Sequence, residues 1–452
     1  MRGHVSSAII AAALVAAVAC GTTMAARGAR LRPTGRAALR CPTASTPPAL
    51  RLAVLHRARV GDAPIALAVD PRARRALIVD RGPLDRRGFV AGHARLAVVD
   101  ATTGRPLRTV ALPQPAYLAP EFGPVADDAP LLVVDPVARH AFLAICSVDR
   151  SALQPWPGVL YMLDTATGAI RGTTPLQDCA APLIDDPRAG YVAAVEGEAG
   201  VVLILDARTG RVVRSIVAKD INDQAILDPV AGRLAVLYTF GTVQPLLIDP
   251  RTGAVRRAAP LAGDASGFLP GDPEALAVDP RLGRLIIGTQ DNGRIEHLYI
   301  LDDCTGKALA RIDGAGGTTL AADAATGRIV AVSTAFDPID IGPAILSVID
   351  TRSRRTVRSA TIETVPGGAP TADAVDPARG RIFLATDGDT TGQQTDALHG
   401  ALVLVIDARS GRTLAQTTLA SNAAALALDA ATGHILVADA NGTLSVIAAT
   451  SP

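Results

Sequence analysis

The chain has 452 residues, with 44 Lys and Arg against 43 Asp and Glu. This balance leaves no global basic field for nucleic acid, which is therefore not an expected partner, and no acidic tail. The length would hold two or three ordinary domains, but repeat folds exceed that limit as single units.

Arg2 and His4 precede an apolar run from Ala8 to Ala19, followed by Cys20 and Gly21. About a dozen apolar residues is signal-peptide length and too short to span a bilayer, so residues 1–20 are set aside from the fold as an export signal. The small residues before Cys20 resemble a bacterial lipoprotein box, with Ala17 where that box prefers Leu. Two readings follow: lipidation at Cys20, which makes the anchor the only membrane contact, or ordinary secretion to the periplasm or beyond. A single acyl chain holds a membrane only marginally. Residues 21–50 mix Arg, Thr, Pro and Ala without apolar periodicity and read as a flexible tether.

Residues 51–452 repeat one pattern. An apolar run ends in Asp at Asp70, Asp135, Asp186, Asp228, Asp279, Asp323, Asp376 and Asp429. The spacing averages about 51 residues, room for four short strands per unit. Most of these Asp residues open Asp-Pro-x-x-Gly or Asp-Ala-Ala-Thr-Gly, turns in which Pro presets φ and Gly takes the left-handed position. A second Asp closes a third strand at Asp100, Asp164, Asp206, Asp249, Asp302, Asp350 and Asp407. Six of these seven reach Gly four residues later, and Asp350 reaches Arg354. The stretch Leu402–Ile447, with its turns at Asp407–Gly411, Asp429–Gly433 and Asn441-Gly442, shows the pattern most clearly. The eighth unit ends after its third strand, Leu444–Ile447, and Arg51–Val60 has the character of the missing fourth.

Four-stranded units at this period predict an all-β fold, a single β-propeller closed by its N-terminal strand. Eight first strands predict eight blades, or seven if the wide unit between Asp70 and Asp135 is degenerate. Val403–Asp407 with Gly411, Ala425–Asp429 and Ile435–Asp439 resemble the YVTN-type β-propeller repeats of bacterial and archaeal surface and periplasmic proteins. Here the naming tetrapeptide stands as Leu436-Val437-Ala438-Asp439, and Asp-Pro-x-x-Gly replaces the usual Ser-Pro-Asp-Gly turn. The resemblance spans roughly residues 51 to 448 and implies fold and an extracytoplasmic location, and little about ligand. The Trp-Asp pair of WD40 blades is absent. A single tryptophan, Trp156, excludes the repeated-Trp pattern of pyrroloquinoline-quinone propellers.

The repeated Asp residues suit turn formation, since a carboxylate there accepts backbone N–H groups. An exported chain permits disulfides. Cys146, at the end of a second strand, and Cys179, in the link to the next unit, fall at one edge of the ring and are the expected pair. Cys41 and Cys304 form an alternative pair, because ten residues of tail reach at most ~33 Å. His56, His93, His140, His297, His399 and His434 have no ligand spacing for zinc, and nucleophile-elbow and phosphate-loop motifs are lacking.

The turns after first and third strands are short, so the long connections gather at the opposite end: 81–93, 112–130, 147–157, 262–272, 336–343 and 387–400. Loops on a rigid scaffold are where binding concentrates. They also carry much of the acid, including Asp337, Asp340, Asp387, Asp389 and Asp396, which are the candidate ligand-binding residues, whereas the short-turn end holds many arginines. Plain solvation accounts for this division equally well. Asp387, Asp389 and Thr391 match the first half of a calcium loop, but Leu398 stands where an EF-hand places its bidentate Glu. Calcium is the one cofactor the sequence suggests. The expected function is a binding scaffold for a protein, glycan or small ligand. The rival is a propeller enzyme, a lactonase-like hydrolase or a quinoprotein-like dehydrogenase subunit.

Overall fold

The computed structural model describes residues 50–82, 93–113, 131–146, 158–197, 199–219, 221–238, 243–261, 272–291, 295–315, 319–336, 341–362, 370–386 and 400–450. They belong to one compact unit spanning Pro47–Pro452. Its strands form eight four-stranded antiparallel sheets. The fold is an eight-bladed β-propeller. Blades 1 to 7 cover residues 64–111, 132–175, 180–217, 221–257, 272–313, 319–361 and 370–418 in sequence order, each running from inner to outer strand. Blade 8 takes Ala423–Asp429, His434–Asp439 and Thr443–Thr450 from the end of the chain and its outer strand, Arg51–Arg59, from the start.

Closure is an antiparallel pairing from Arg51↔Thr450 to Arg59↔Thr443, broken by one bulge between Val54 and His56. The first strand is mostly exposed, as the other outer strands are. Its sequence therefore behaves as a fourth strand, and pairing removes an open sheet edge.

Middle strands such as Arg75–Asp80 and Arg95–Asp100 are buried almost throughout. They are sandwiched between neighbouring blades, so both faces must be apolar and the polar alternation of a half-buried strand disappears. Period 2 survives as a choice of neighbour. Leu77 and Val79 pack toward blade 2, while Ala76 and Ile78 pack toward blade 8. Eight apolar clusters result, one at each seam between blades.

The short turns use the repeated Asp residues as the sequence predicts. Oδ1 of Asp70 accepts the N–H groups of Arg72 and Ala73 at 3.0 and 2.9 Å, and all eight first-strand Asp residues accept at least one backbone N–H of their own turn. Third-strand Asp residues add a hydroxyl, as when Asp206 Oδ1 accepts both N–H and Oγ1–H of Thr209. Glycine in these third-strand turns has a packing reason beyond its positive φ. A Cβ on Gly411 would lie 2.3 Å from Val348 of the preceding blade, and one on Gly168 would lie 2.8 Å from Val98. Arg354, the exception, keeps the left-handed φ of 58°. Its guanidinium donates instead to Leu309 O of blade 5.

Two sequence boundaries shift. Residues 336–343 are not a long loop: strands Arg328–Phe336 and Ile341–Asp350 continue past Gly342-Pro343, with Phe336 paired to Ile341. Asp272 belongs to the innermost strand of blade 5 and pairs with Gln290. In both places Pro breaks the sequence pattern, whereas the ladder accommodates it at a register irregularity or near a strand end.

Candidate functional site

At the short-turn end the polar groups are largely consumed by the fold. Blade seams are tied there by arginines that reach carbonyls of the next blade: Arg188 to Pro229, Arg214 to Arg251, Arg256 to Cys304 and Arg281 to Ala325. These exposed side chains therefore also serve as donors between blades. Oδ2 of the first-strand Asp is satisfied in three ways, one being the turn's own Arg379, whose guanidinium donates to Asp376 at 2.7 Å in blade 7. In blades 6 and 8 the turn's own Thr326 and Thr432 donate to Asp323 and Asp429. In blades 1 and 5 the donor is the next blade's Thr, with Thr165 to Asp70 at 2.6 Å and Thr351 to Asp279 at 2.5 Å. Among the third-strand Asp residues, burial alone would raise Asp164, yet the Arg171 guanidinium and the Thr167 hydroxyl and N–H hold it down at about 2.

Asp302, Asp303 and Cys304 of blade 5 bring three donor atoms within 4.8 Å of one another. Two features argue against a cation there. Asp302 is already used by Thr305 and Arg284, and the Arg233 guanidinium stands against Cys304 and Asp303. Positive charge is thus supplied by arginine.

The opposite end is built differently. Here the second strands end in side-chain acceptors that hold the incoming connection from the previous blade. Asp80 accepts the N–H groups of Asp62, Ala63 and Gly82, and Glu196 accepts those of Gln177 at 2.7 Å and Asp178 at 3.0 Å. Burial raises the Glu196 carboxyl despite those two hydrogen bonds. From this fixed rim leave the connections 81–94, 112–131, 147–157, 262–271 and 387–401. The ring therefore has one end closed by its own turns and one end that presents chain.

Among the described side chains, the innermost strands carry two acids outside the predicted set and the turn positions. Asp185 precedes the turn Asp of blade 3, and Asp373 lies three residues before that of blade 7. Burial, then the nearby Asp135 and Asp186 carboxylates, pushes Asp185 up to about 8, and its Oδ1 has no hydrogen-bond partner. Burial alone pushes Asp373 up to about 7. The same position holds Leu132, Leu183, Leu320 and Leu426 in the apolar seams of other blades, so Asp373 is a half-buried acid at a seam position of blade 7. Comparing the repeats with one another exposes both: the Asp185 position is Val, Leu or Ala in the other blades, and the Asp373 position is Leu in all others except Ala225 of blade 4. Carboxyls protonated near neutrality can donate protons, but among the described residues no nucleophile joins either.

Asp337, Asp340, Asp387, Asp389, Thr391 and Asp396, and Cys20 with the export signal, lie outside the described residues, so the calcium and ligand readings there are neither assembled nor dispersed. Cys179 is disulfide-bonded. Cys304 is free and exposed, and Cys41, the other member of its possible pair, lies outside the described residues. Cys146 pairs its backbone with Gly158, and a Cβ on Gly158 would lie 2.9 Å from Asp178 O. The backbones of Cys146 and Cys179 therefore come close, while the Cys146 side chain is outside the description.

No protein-family model and no curated protein matches the sequence. Solved propellers match the fold. The C-terminal WD40 domain of Sif2 aligns with 88% of this chain and 98% of its own at a TM-score of 0.58 and 10% identity. The Dos1 propeller aligns with 88% and 95% at 0.58 and 11% identity. BamB from Moraxella catarrhalis aligns with 88% and 99% at 0.53 and 13% identity. At these identities the likeness concerns architecture alone.

Proposed function

We propose that the chain is an extracytoplasmic binding scaffold that holds a protein, glycan or small ligand on the connections leaving the far end of the ring. The carrying observation is the asymmetry of the two ends. Asp and Arg hydrogen bonds tie down the short-turn end, whereas among the described residues the other end holds the bases of its connections through Asp80 and Glu196. Loops on a rigid frame are the usual place for recognition. The apolar run ending at Cys20 and the resemblance to YVTN-type repeats support export and an envelope location, with Cys20 as a lipid anchor or the signal removed on secretion.

The test is a matched pair of variants expressed with the native leader in a bacterial host and cross-linked in intact cells. One replaces residues 387–399 with a two-residue Asn-Gly turn; the other changes Arg208 and Arg409 at the short-turn end to Gln. Cross-linked products that vanish with the loop replacement and persist with the arginine changes support the scaffold. Products unchanged by removing each long connection in turn refute it. Fractionation of the same cells places the chain in the envelope or the cytoplasm.

A second reading, a propeller enzyme, draws on the raised carboxyls of Asp185 and Asp373 on innermost strands. It requires that Asp185→Asn or Asp373→Asn abolish a turnover seen with ester or lactone substrates. Activity indifferent to both changes removes these acids from that reading.

A further inference from the structure

Between blades 4 and 5 the seam is tied in a way that departs from its neighbours. Asp228 ends the inner strand of blade 4 and is 4% exposed. Its Oδ1 accepts Val230 N–H and Ala231 N–H at 2.7 and 2.9 Å. Its Oδ2 is buried, and no described N–H or O–H donates to it. At the seams of blades 1–2 and 5–6 this place is taken by the residue following the third-strand Asp of the next blade. Thr165 and Thr351 there donate a hydroxyl to the corresponding Oδ2. In blade 5 that residue is Asp303, whose carboxyl lies within hydrogen-bonding reach of Asp228. Two carboxylates offer acceptors and no donor, so the contact becomes a hydrogen bond only when one of them carries a proton.

We propose that Asp228 and Asp303 share one proton, making an acid-closed latch between blades 4 and 5 where the seams of blades 1–2 and 5–6 use a threonine hydroxyl.

The surroundings set where the latch opens. Asp303 itself is 7% exposed and backs onto the Gly283 turn, with its N–H donating to Gly283 O at 3.2 Å. Burial and the facing Asp228 carboxyl, with a smaller push from Asp302, raise the Asp303 carboxyl to about 6, while Cys304 opposes them. From blade 4, Arg233 and Asp249 face the same turn. From blade 5, Arg284 pairs with Asp302 at 3.4 Å. Arg281, beside it, is drawn away to Ala325 O. Arginine thus moderates the repulsion without donating to Asp228 Oδ2. Because the folded protein holds this proton more tightly than an unfolded chain does, the latch stabilises fully at pH near 4 and is lost as pH rises through about 6. The apolar seam of Leu237, Val278, Leu285 and Tyr299 lies beneath it, so loss of the proton loosens the turn end and leaves the seam's core in place.

Thermal melts from pH 5 to pH 8 on the full chain test the latch, comparing the parent with Asp303→Thr, which installs the donor used elsewhere, and Asp303→Asn. The parent should fall relative to both variants as pH rises, by an amount on the order of a few degrees, and both variants should melt higher at pH 8. A difference between parent and variants that does not change with pH overturns the proposal. The unmodified protein gives a second test. After correction for intrinsic rates, amide exchange in 229–232 should accelerate between pH 5 and pH 7.5 more than in 280–283, where Thr351 supplies a proton that does not titrate. Equal responses of the two turns overturn it as well.

Discussion

Thr165 of blade 2 places its hydroxyl 2.6 Å from Oδ2 of Asp70 in blade 1, and both side chains are fully buried. One residue thereby completes the hydrogen bonding of a turn in the blade before it. Thr165→Val keeps the volume and strands a buried carboxylate oxygen, so it should destabilise the protein by about 1–3 kcal/mol. Thr103→Val, at an exposed turn, should cost well under half of that. Urea denaturation compares the two, and equal effects would show that the inter-blade contact contributes nothing of its own.

Gly411 and Gly232 both have positive φ, at 64° and 63°. A Cβ on Gly411 would strike Val348 of blade 6, while around Gly232 nothing lies within 4 Å. Gly232→Ala should therefore cost only the conformational penalty, about 1 kcal/mol. Gly411→Ala should add overpacking, for about 2–4 kcal/mol in all. Denaturant midpoints decide, and the reverse ranking would show that the third-strand turns do not pack against the preceding blade.

Removing residues 51–59 leaves blade 8 with three strands and strips the partner from Thr443–Thr450. The expected result is aggregation on size exclusion, or a melting transition lowered by many degrees. A monomer with the parent melting curve would place closure elsewhere.

We propose Cys146 as the partner of Cys179, since the backbone around Gly158 brings the two together. Peptide mapping without reductant should recover that linked pair, and alkylation of the folded protein should label Cys304 alone among the cysteines of the propeller. A bond closing on the order of 30 residues contributes roughly 3–4 kcal/mol, so reduction should lower the melting temperature measurably. Recovery of Cys179 linked to any other cysteine ends the assignment.

Burial raises the Asp373 carboxyl from 3.8 to about 7 in the folded protein. The folded state therefore binds the proton more tightly than the unfolded chain, and this group's stabilisation is full below about pH 4 and lost as pH rises toward 7. Asp373→Asn should accordingly gain on the parent across that window and melt higher at pH 8. A constant offset between the two proteins would mean that Asp373 titrates normally.

The fold was largely legible in the sequence because each blade repeats its signals: Asp and Gly at fixed offsets, and apolar runs of strand length. Closure was legible for a related reason, since a unit lacking a strand implies one elsewhere, and Arg51–Arg59 fills the place. Asp228 with Asp303, and Asp185 and Asp373, were not. Their roles come from seams that join residues from different strands or blades, and each looks ordinary within its own segment. They stand out only when the blades are aligned with one another, where Thr165, Asp303 and Thr351 fall at one position and Asp373 replaces leucine. Residues 336–343 misled because Pro and Gly signal a loop, and a long hairpin can absorb both.

The closing strand also fixes an order in time. Arg51–Arg59 emerges from the ribosome about 390 residues before Thr443–Thr450, and at 5–20 residues per second that delay is roughly 20–80 s. Until the last strand arrives, the growing protein is an arc with an unsatisfied seam at each tip, and its earliest strand has no mate. Holding that arc apart from other chains falls to chaperones. A transcript truncated anywhere before Thr443 yields a product that cannot become a ring.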